Sequence, residues 1–262
     1  MILLKAVILG IVEGVTEFLP ISSTGHLIVA SSLVNYPEES RTTFDIFIQL
    51  GAILAVVWHY RSALGALARD LPRTHQARVL VAQVVFAFMP AAAAGFLFHH
   101  AIEERLFSPT VVAFSLILGG VGIILFERHR WHFTVRRIEH MGWGQALWVG
   151  LAQVLSLIPG VSRSAATILG GMATGMDRPA ATQFSFYLSI PTLCAASVYS
   201  LFKARHLLHA ADIAPLAVGF VVSFISALIV VRAFISFVQR STFTGFGYYR
   251  ILVGALILWL FR

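Results

Sequence analysis

Charged residues are scarce in this chain. Only 12% of its 262 residues are charged, which is about half the share found in an ordinary soluble domain. Hydrophobic residues make up 58%, and the mean hydropathy is +0.83. A soluble protein needs a polar surface around its core, and this composition cannot supply one. The sequence therefore predicts an integral membrane protein whose chemistry, if any, depends on polar residues within the membrane or at its edge.

Cysteine and lysine are also rare. Cys194 is the only cysteine, which excludes an internal disulfide and a cysteine-based metal cage. Lysine occurs only as Lys5 and Lys203, so arginine carries most of the net charge of +7. In a membrane protein such an excess is typical of cytoplasmic loops, and no nucleic-acid partner is predicted.

Hydropathy predicts six membrane spans, of which the last is short for a bilayer. They lie at residues 44–60, 79–98, 108–126, 183–202, 213–232 and 248–261. Four arginines lie within residues 61–78 and four within 128–137, whereas residues 99–107 contain Arg105 alone. The two arginine-rich connections are therefore predicted to be cytoplasmic.

Residues 2–34 and 143–176 do not fit as simple spans. Each contains two apolar stretches that are too short to cross a bilayer. The stretches are joined at a proline, Pro20 or Pro159, and hydroxyl residues follow that proline. We interpret them as re-entrant helical hairpins, whose irregular tips are tolerated only around a polar cavity enclosed by protein. A single broken helix that crosses the membrane is the alternative.

The two segments also resemble each other. Residues 10–13 align with 150–153 at an offset of 140, and Pro20 aligns with Pro159. The chain is therefore predicted to be one all-α membrane domain over residues 1–262, built as an inverted-topology repeat from residues 1–126 and 143–262. Each copy would contain one re-entrant hairpin and three transmembrane helices, with the site where the broken elements meet.

Glu13 and Glu17 stand four residues apart, so on a helix both carboxylates face the same way. Inside an apolar hairpin the two carboxylates would repel each other unless a cation lies between or beside them. Carboxylate oxygens suit a hard ion, so Glu13 and Glu17 are the predicted ligands of Mg²⁺ or Ca²⁺. A solvated helix face with two surface acids is the alternative.

The first tip continues with three hydroxyl residues, Ser22, Ser23 and Thr24. They follow Pro20 and are typical of the start of a new helix, where unpaired backbone N–H groups attract anions. Helix capping explains one hydroxyl but not three. The spacing also predicts that the imidazole of His26 lies near the Ser23 hydroxyl, which would bring a nucleophile and a base together.

The second tip contains Ser162, Arg163 and Ser164, again after a proline and at a predicted helix start. An arginine within an apolar hairpin is expected to be paired or functional, and its planar fork matches phosphate. An arginine that reaches back to the membrane surface is the alternative. Together the two tips predict a strongly anionic ligand, either a phosphate or a diphosphate.

The motifs at the two tips identify a resemblance to a known family. Glu13 to His26 (Glu-Gly-Val-Thr-Glu-Phe-Leu-Pro-Ile-Ser-Ser-Thr-Gly-His) and Pro159 to Ser164 (Pro-Gly-Val-Ser-Arg-Ser) closely resemble the undecaprenyl-diphosphate phosphatases, which are linked to bacitracin resistance. Residues 44–57 and 182–191 resemble the same family, so the likeness covers nearly the whole chain. One departure is Ala165, where the family usually has glycine.

The resemblance implies hydrolysis of undecaprenyl diphosphate to undecaprenyl phosphate and inorganic phosphate, which recycles the lipid carrier for cell-wall synthesis. It also implies that the protein lies in the bacterial inner membrane, that its site opens to the periplasm, and that its chains often pair as homodimers. Membrane lipid would surround the isoprenoid tail. The catalytic residues it implies are Glu17, Ser23, His26 and Arg163. The substrate-binding residues predicted for this chain are Ser22, Thr24, Ser162, Arg163, Ser164 and Thr167.

Ser23 is the predicted nucleophile. Its hydroxyl would attack the terminal phosphorus while His26 or Glu17 takes the proton, and a phosphoserine intermediate would then be hydrolysed. Attack by His26 or directly by water remains open. The alternative function is a lipid-phosphate flippase or anion transporter, because inverted repeats with broken helices are common in transporters.

Overall fold

The structure, a computed structural model, describes residues 1–204 and 213–261, and this part of the chain is helical. It contains eleven α-helices. They are α1 (Ile2–Thr16), α2 (Ser23–Leu33), α3 (Glu38–His59), α4 (Arg61–Asp70), α5 (His75–Leu106), α6 (Pro109–Arg128), α7 (Trp143–Val154), α8 (Arg163–Ala173), α9 (Arg178–Ala204), α10 (Ile213–Val238) and α11 (Thr244–Leu260). In these residues β-structure is limited to an isolated bridge between Val135 and Met176.

Five of the helices are long and apolar enough to cross a membrane. The candidate spans are Ser40–His59, His75–Phe98, Pro109–Arg128, Arg178–Phe202 and Ile213–Val238. The shorter apolar helix Thr244–Leu260 corresponds to the sixth predicted span. The chain is therefore an all-α, multi-pass membrane protein, as its composition predicted.

The first arginine-rich connection contains a helix that hydropathy did not predict. Within α4, Leu64 and Leu67 lie three residues apart and pack against the hydrophobic core. Arg61 and Arg69 on the same helix are exposed. Hydropathy missed α4 because one apolar stripe on a ten-residue helix does not produce a long apolar run.

Residues 2–34 and 143–176 both form hairpins. In the first, Lys5 Nζ near the start of α1 donates to the Asn35 carbonyl just beyond α2, at 2.6 Å. In the second, Gln145 Nε2 near the start of α7 donates to the Thr174 carbonyl just beyond α8, at 2.9 Å. Because the far ends of each helix pair meet, each segment turns back on itself, and neither is a single broken helix that continues in one direction.

Each hairpin packs against a helix from the other half of the chain, α1 against α10 and α7 against α5. Glycine permits both contacts. A Cβ added at Gly10 would lie 2.7 Å from the Gly219 carbonyl oxygen, and one added at Gly150 would lie 2.5 Å from that of Ala87. Two glycines 140 residues apart thus each allow a hairpin helix to pack closely against the backbone of another helix.

Candidate active site

The two hairpin tips are joined directly. The carbonyl oxygen of Leu19, in the first tip, accepts a hydrogen bond from Ser164 Oγ at 2.7 Å, and Ser162 Oγ lies 3.4 Å from the same oxygen. Both serines are buried and also bond to each other at 2.8 Å. Two residues predicted to bind substrate therefore connect the first tip to the second.

Each tip contains one residue in the left-handed backbone region. Ser22 has φ +71° and Gly160 has φ +93°. Serine rarely adopts this conformation, and such strain often occurs at functional sites. Glycine is required at 160 for a second reason, because a Cβ there would lie 2.6 Å from the Val112 carbonyl oxygen. The irregular geometry lets α2 begin at Ser23 and α8 at Arg163, the helix starts that the sequence predicted.

Glu17 connects the predicted nucleophile to the predicted phosphate-binding arginine. Ser23 Oγ donates to Glu17 Oε2 at 2.6 Å, and Arg163 Nη2 donates to Glu17 Oε1 at 3.4 Å. Glu17 and Arg163 are both buried. The tertiary structure thus brings together three of the four predicted catalytic residues from two separate hairpins.

Arg163 is only partly satisfied by its neighbours. Besides Glu17, its guanidinium donates from Nη1 to the Ser185 carbonyl at 3.4 Å. Its buried Nε has no hydrogen-bond partner among the described residues. A buried unpaired donor is costly, so this N–H is suited to an anionic ligand.

Ser162 and Thr167 support the start of α8. Ser162 Oγ accepts a hydrogen bond from the Ala165 N–H at 3.2 Å, as an N-cap does. Thr167 is fully buried and bonds through Oγ1 to Ser185 Oγ at 2.6 Å. Both side chains thus bond to protein groups, and Ser185 in turn accepts a hydrogen bond from Arg163.

Glu13 lies on α1, one turn before Glu17, as the spacing predicted. It is 1% exposed, and its Oε2 has no partner in the described part of the chain. A buried carboxylate oxygen without a donor is suited to a cation, so Glu13 fits the predicted metal site. Glu17 is less free, because Ser23 and Arg163 each bond to one of its oxygens.

A cavity of about 820 Å³ extends from the tips toward the end of α2 and the start of α3. Glu13, Ser23 and Thr24 line it near the tips, and Asn35 and Glu38 line it farther away. The other lining residues are Leu27, Ile28, Ser31, Ser32, Tyr36, Arg41, Thr42, Asp45, Ile46, Gln49, Phe107, Ser108, Pro109 and Phe261. The cavity therefore combines polar groups near the Ser23 hydroxyl with apolar walls suited to an amphiphile, whereas the buried Glu17 and Arg163 are not among its lining residues.

His26 and Ser23, which were predicted to lie near each other, each bond to other groups. His26 Nδ1 bonds to the Ser22 carbonyl at 2.7 Å, so this nitrogen must carry a proton. Nε2 bonds to the Tyr249 hydroxyl at 2.8 Å, and the two rings are stacked. Spacing along α2 predicted proximity but not these competing partners, and Ser23 bonds to Glu17 instead.

Comparison with known proteins identifies the family. The family model described as "Bacitracin resistance protein BacA" matches residues 6–256. The chain belongs to the BacA family. That match includes both hairpin tips and reaches into α11.

Several curated relatives are similar over nearly their full length. An undecaprenyl-diphosphatase of Nitrosospira multiformis is 51% identical and covers 98% of this chain and 94% of the relative. Undecaprenyl-diphosphatase 2 of Rhodospirillum rubrum is 52% identical, with the same coverage. An undecaprenyl-diphosphatase of Pseudomonas aeruginosa is 46% identical over 97% of this chain and 92% of the relative.

The structure of this BacA-family protein adds site residues that sequence reasoning missed. Asp45 on α3 lines the cavity, and its buried Oδ1 has no partner in the described residues. Tyr249 bonds to His26, and the neighbouring Arg250 is 1% exposed. Asp45 and Arg250 are charged residues inside predicted spans. A charged residue within a membrane segment is expected to be paired or functional, and this expectation, which identified Arg163, applied to them as well.

Proposed function

We propose that this BacA-family protein hydrolyses undecaprenyl diphosphate to undecaprenyl phosphate and inorganic phosphate. The observation that carries the proposal is the bonded group of Ser23, Glu17 and Arg163 at the joined tips. Relatives about half identical over nearly the whole chain have the name undecaprenyl-diphosphatase. The product would re-enter cell-wall synthesis as the lipid carrier.

In the proposed reaction, Arg163 and the N-termini of α2 and α8 bind the diphosphate oxygens. Both helix starts contribute unpaired N–H groups and a positive dipole end. The Nε of Arg163, which has no partner among the described residues, would be a further donor once the ligand reaches it. Phosphoryl transfer depends mainly on positioning and charge stabilisation, and these groups provide both.

Ser23 is the proposed nucleophile and Glu17 the proposed base. Ser23 Oγ attacks the terminal phosphorus, and its proton passes to Glu17 Oε2, to which it is already bonded. The bond between that phosphorus and the bridging oxygen breaks, and undecaprenyl phosphate leaves. Water then hydrolyses the phosphoserine, releases inorganic phosphate and restores the Ser23 hydroxyl.

Glu13 and Glu17 are the proposed ligands of a divalent cation, Mg²⁺ or Ca²⁺. Among the described residues, no group of three or more His, Cys, Asp or Glu side chains is arranged to hold a metal. Two carboxylates suit an ion that keeps water ligands and also binds substrate phosphate. Such an ion would neutralise part of the diphosphate charge.

The chain is proposed to lie in the bacterial inner membrane as an inverted repeat, with its cavity open to the periplasm. Asn35 and Phe107 line the cavity at ends of spans that are opposite the arginine-rich connections. Because those connections are expected in the cytoplasm, the cavity would open on the other side. The homodimer implied by resemblance stays a prediction, which sedimentation of the purified protein would check.

The decisive experiment measures phosphate release from undecaprenyl diphosphate by the purified protein in detergent, where no gradient exists. We expect turnover by the wild type and by Ser62→Ala, a control on the exposed start of α4. Ser23→Ala and Arg163→Ala should lose about 10³-fold or more, as expected when a nucleophile or a key charge is removed. Binding without turnover would instead support a carrier.

A second measurement tests the nucleophile. Reaction with substrate labelled in its terminal phosphate, stopped by rapid denaturation at neutral pH so that phosphoserine and phosphohistidine both survive, should leave label on Ser23. Label on His26 would contradict the serine mechanism. Complete absence of label at every quench time would favour direct attack by water.

A further inference from the structure

Arg250 on α11 bonds to both hairpin tips. Its guanidinium donates from Nη1 to the Pro20 carbonyl at 3.2 Å and from Nη2 to the Gly160 carbonyl at 3.0 Å. Nη2 also reaches the Ser115 carbonyl at 3.2 Å, and Nε reaches the Leu116 carbonyl at 3.4 Å. A single buried side chain therefore contacts the first tip, the second tip and α6.

The bonded carbonyls explain why an arginine is present here. Where a helix breaks, backbone carbonyls lose their helical partners, and the membrane interior provides no water to replace them. Arginine has five N–H donors in a rigid planar fork, so it can satisfy several carbonyls at once. A lysine ammonium has only three donors and lacks the planar spread.

The neighbouring helix is shaped to admit this guanidinium. A Cβ added at Gly119 of α6 would lie 2.2 Å from Arg250 Nη2. One added at Gly120 would lie 2.5 Å from the Gly247 carbonyl oxygen and 3.2 Å from Arg250 Cβ. The space occupied by Arg250 therefore depends on two consecutive glycines.

We infer that Arg250 is a positioning residue that holds the two tips in one fixed arrangement. Pro20 precedes Ser23 by three residues, and Gly160 precedes Arg163 by three. The arrangement of the tips therefore sets the position of the attacking hydroxyl relative to the phosphate-binding guanidinium. The catalytic part of this inference rests on the proposed function, whereas the structural part does not.

The structural part is tested by hydrogen exchange, measured by mass spectrometry on the purified full-length protein in detergent. Arg250→Gln should speed exchange in both tips, at residues 19–24 and 158–165, because their shared anchor is lost. Arg240→Gln, at an exposed position outside the helices, should leave both tips as in the wild type. Unchanged exchange in either tip of folded Arg250→Gln would overturn the inference.

A pair of glycine variants tests the same point without removing the arginine. Gly119→Ala should displace the guanidinium and speed exchange in both tips. Gly122→Ala lies on the same helix with nothing within 4 Å of the added Cβ, so it should have no effect. If Arg250→Gln does not fold, this pair decides the outcome, and equal exchange in the two variants would overturn the inference.

The catalytic part is tested by steady-state kinetics. A displacement of about 1 Å at the reacting groups can cost 100-fold in rate, so kcat of Arg250→Gln should fall by about that factor. KM should change much less, and Arg250→Lys should recover part of the lost kcat. A raised KM with unchanged kcat would instead make Arg250 a direct ground-state ligand. If the wild type releases no phosphate, the proposed function fails, but the exchange experiment still tests the anchor.

Discussion

Ser23 and Glu17 form the central pair of the site, with 2.6 Å between Ser23 Oγ and Glu17 Oε2. The two residues belong to the same hairpin but lie on opposite sides of its break, since α1 ends at Thr16 and α2 begins at Ser23. The turn between them aims the hydroxyl back at the carboxylate. The turn between α1 and α2 therefore brings a candidate nucleophile and a candidate base into contact.

Glu17→Gln should lower kcat/KM for undecaprenyl diphosphate by about 10²–10⁴-fold, because general-base catalysis contributes about that much. The amide retains the shape of the side chain but cannot accept the serine proton in the same way. Glu104→Gln, at an exposed position near the end of α5, is the matched control. Near-normal kcat/KM in Glu17→Gln would exclude Glu17 as the base.

Tyr249→Phe should lower kcat/KM only about fivefold, since it removes one neutral hydrogen bond of about 1 kcal/mol. The ring that stacks on His26 is retained, while the bond to Nε2 is lost. Tyr248→Phe, at the exposed neighbouring position, is the control. A rise in activity would show that Tyr249 holds His26 away from the reaction and that His26 is the better base.

Removal of divalent ions by a chelator should lower activity by about 100-fold, because a bound ion contributes several kcal/mol of charge stabilisation. Added Mg²⁺ or Ca²⁺ should restore it. Glu13→Gln should raise the ion concentration needed for half-maximal activity, since it removes the carboxylate whose Oε2 is unpartnered. Full activity of the wild type in excess chelator would contradict the metal site.

Gly150→Ala should destabilise the protein by about 1–3 kcal/mol, the usual cost of overpacking. Its Cβ would lie 2.5 Å from the Ala87 carbonyl oxygen, so α7 and α5 would have to move apart. Thermal unfolding in detergent should show a lower midpoint. Gly65→Ala on α4 has nothing within 4 Å and should leave the midpoint close to that of the wild type.

Local patterns predicted much of this molecule. Long apolar runs predicted the spans, and Pro20 and Pro159, each followed by hydroxyl residues, predicted the hairpin breaks. These predictions succeeded because a bilayer imposes a minimum helix length and excludes unpaired backbone groups. Hydropathy missed α4, whose short apolar stripe forms no long run, and the spacing of Ser23 and His26 did not reveal that the His26 ring bonds to Tyr249 on α11.

By itself, the sequence determined the membrane class, the two broken hairpins and the residue types at their tips, because each depends on composition or on neighbours along the chain. Only the tertiary structure decided which of these groups meet. Glu17 bonds to Arg163 across 146 positions, and Arg250 bonds to Pro20 across 230. Such contacts depend on how α1, α8 and α11 pack, and the periodicity of a single helix contains no information about its partners.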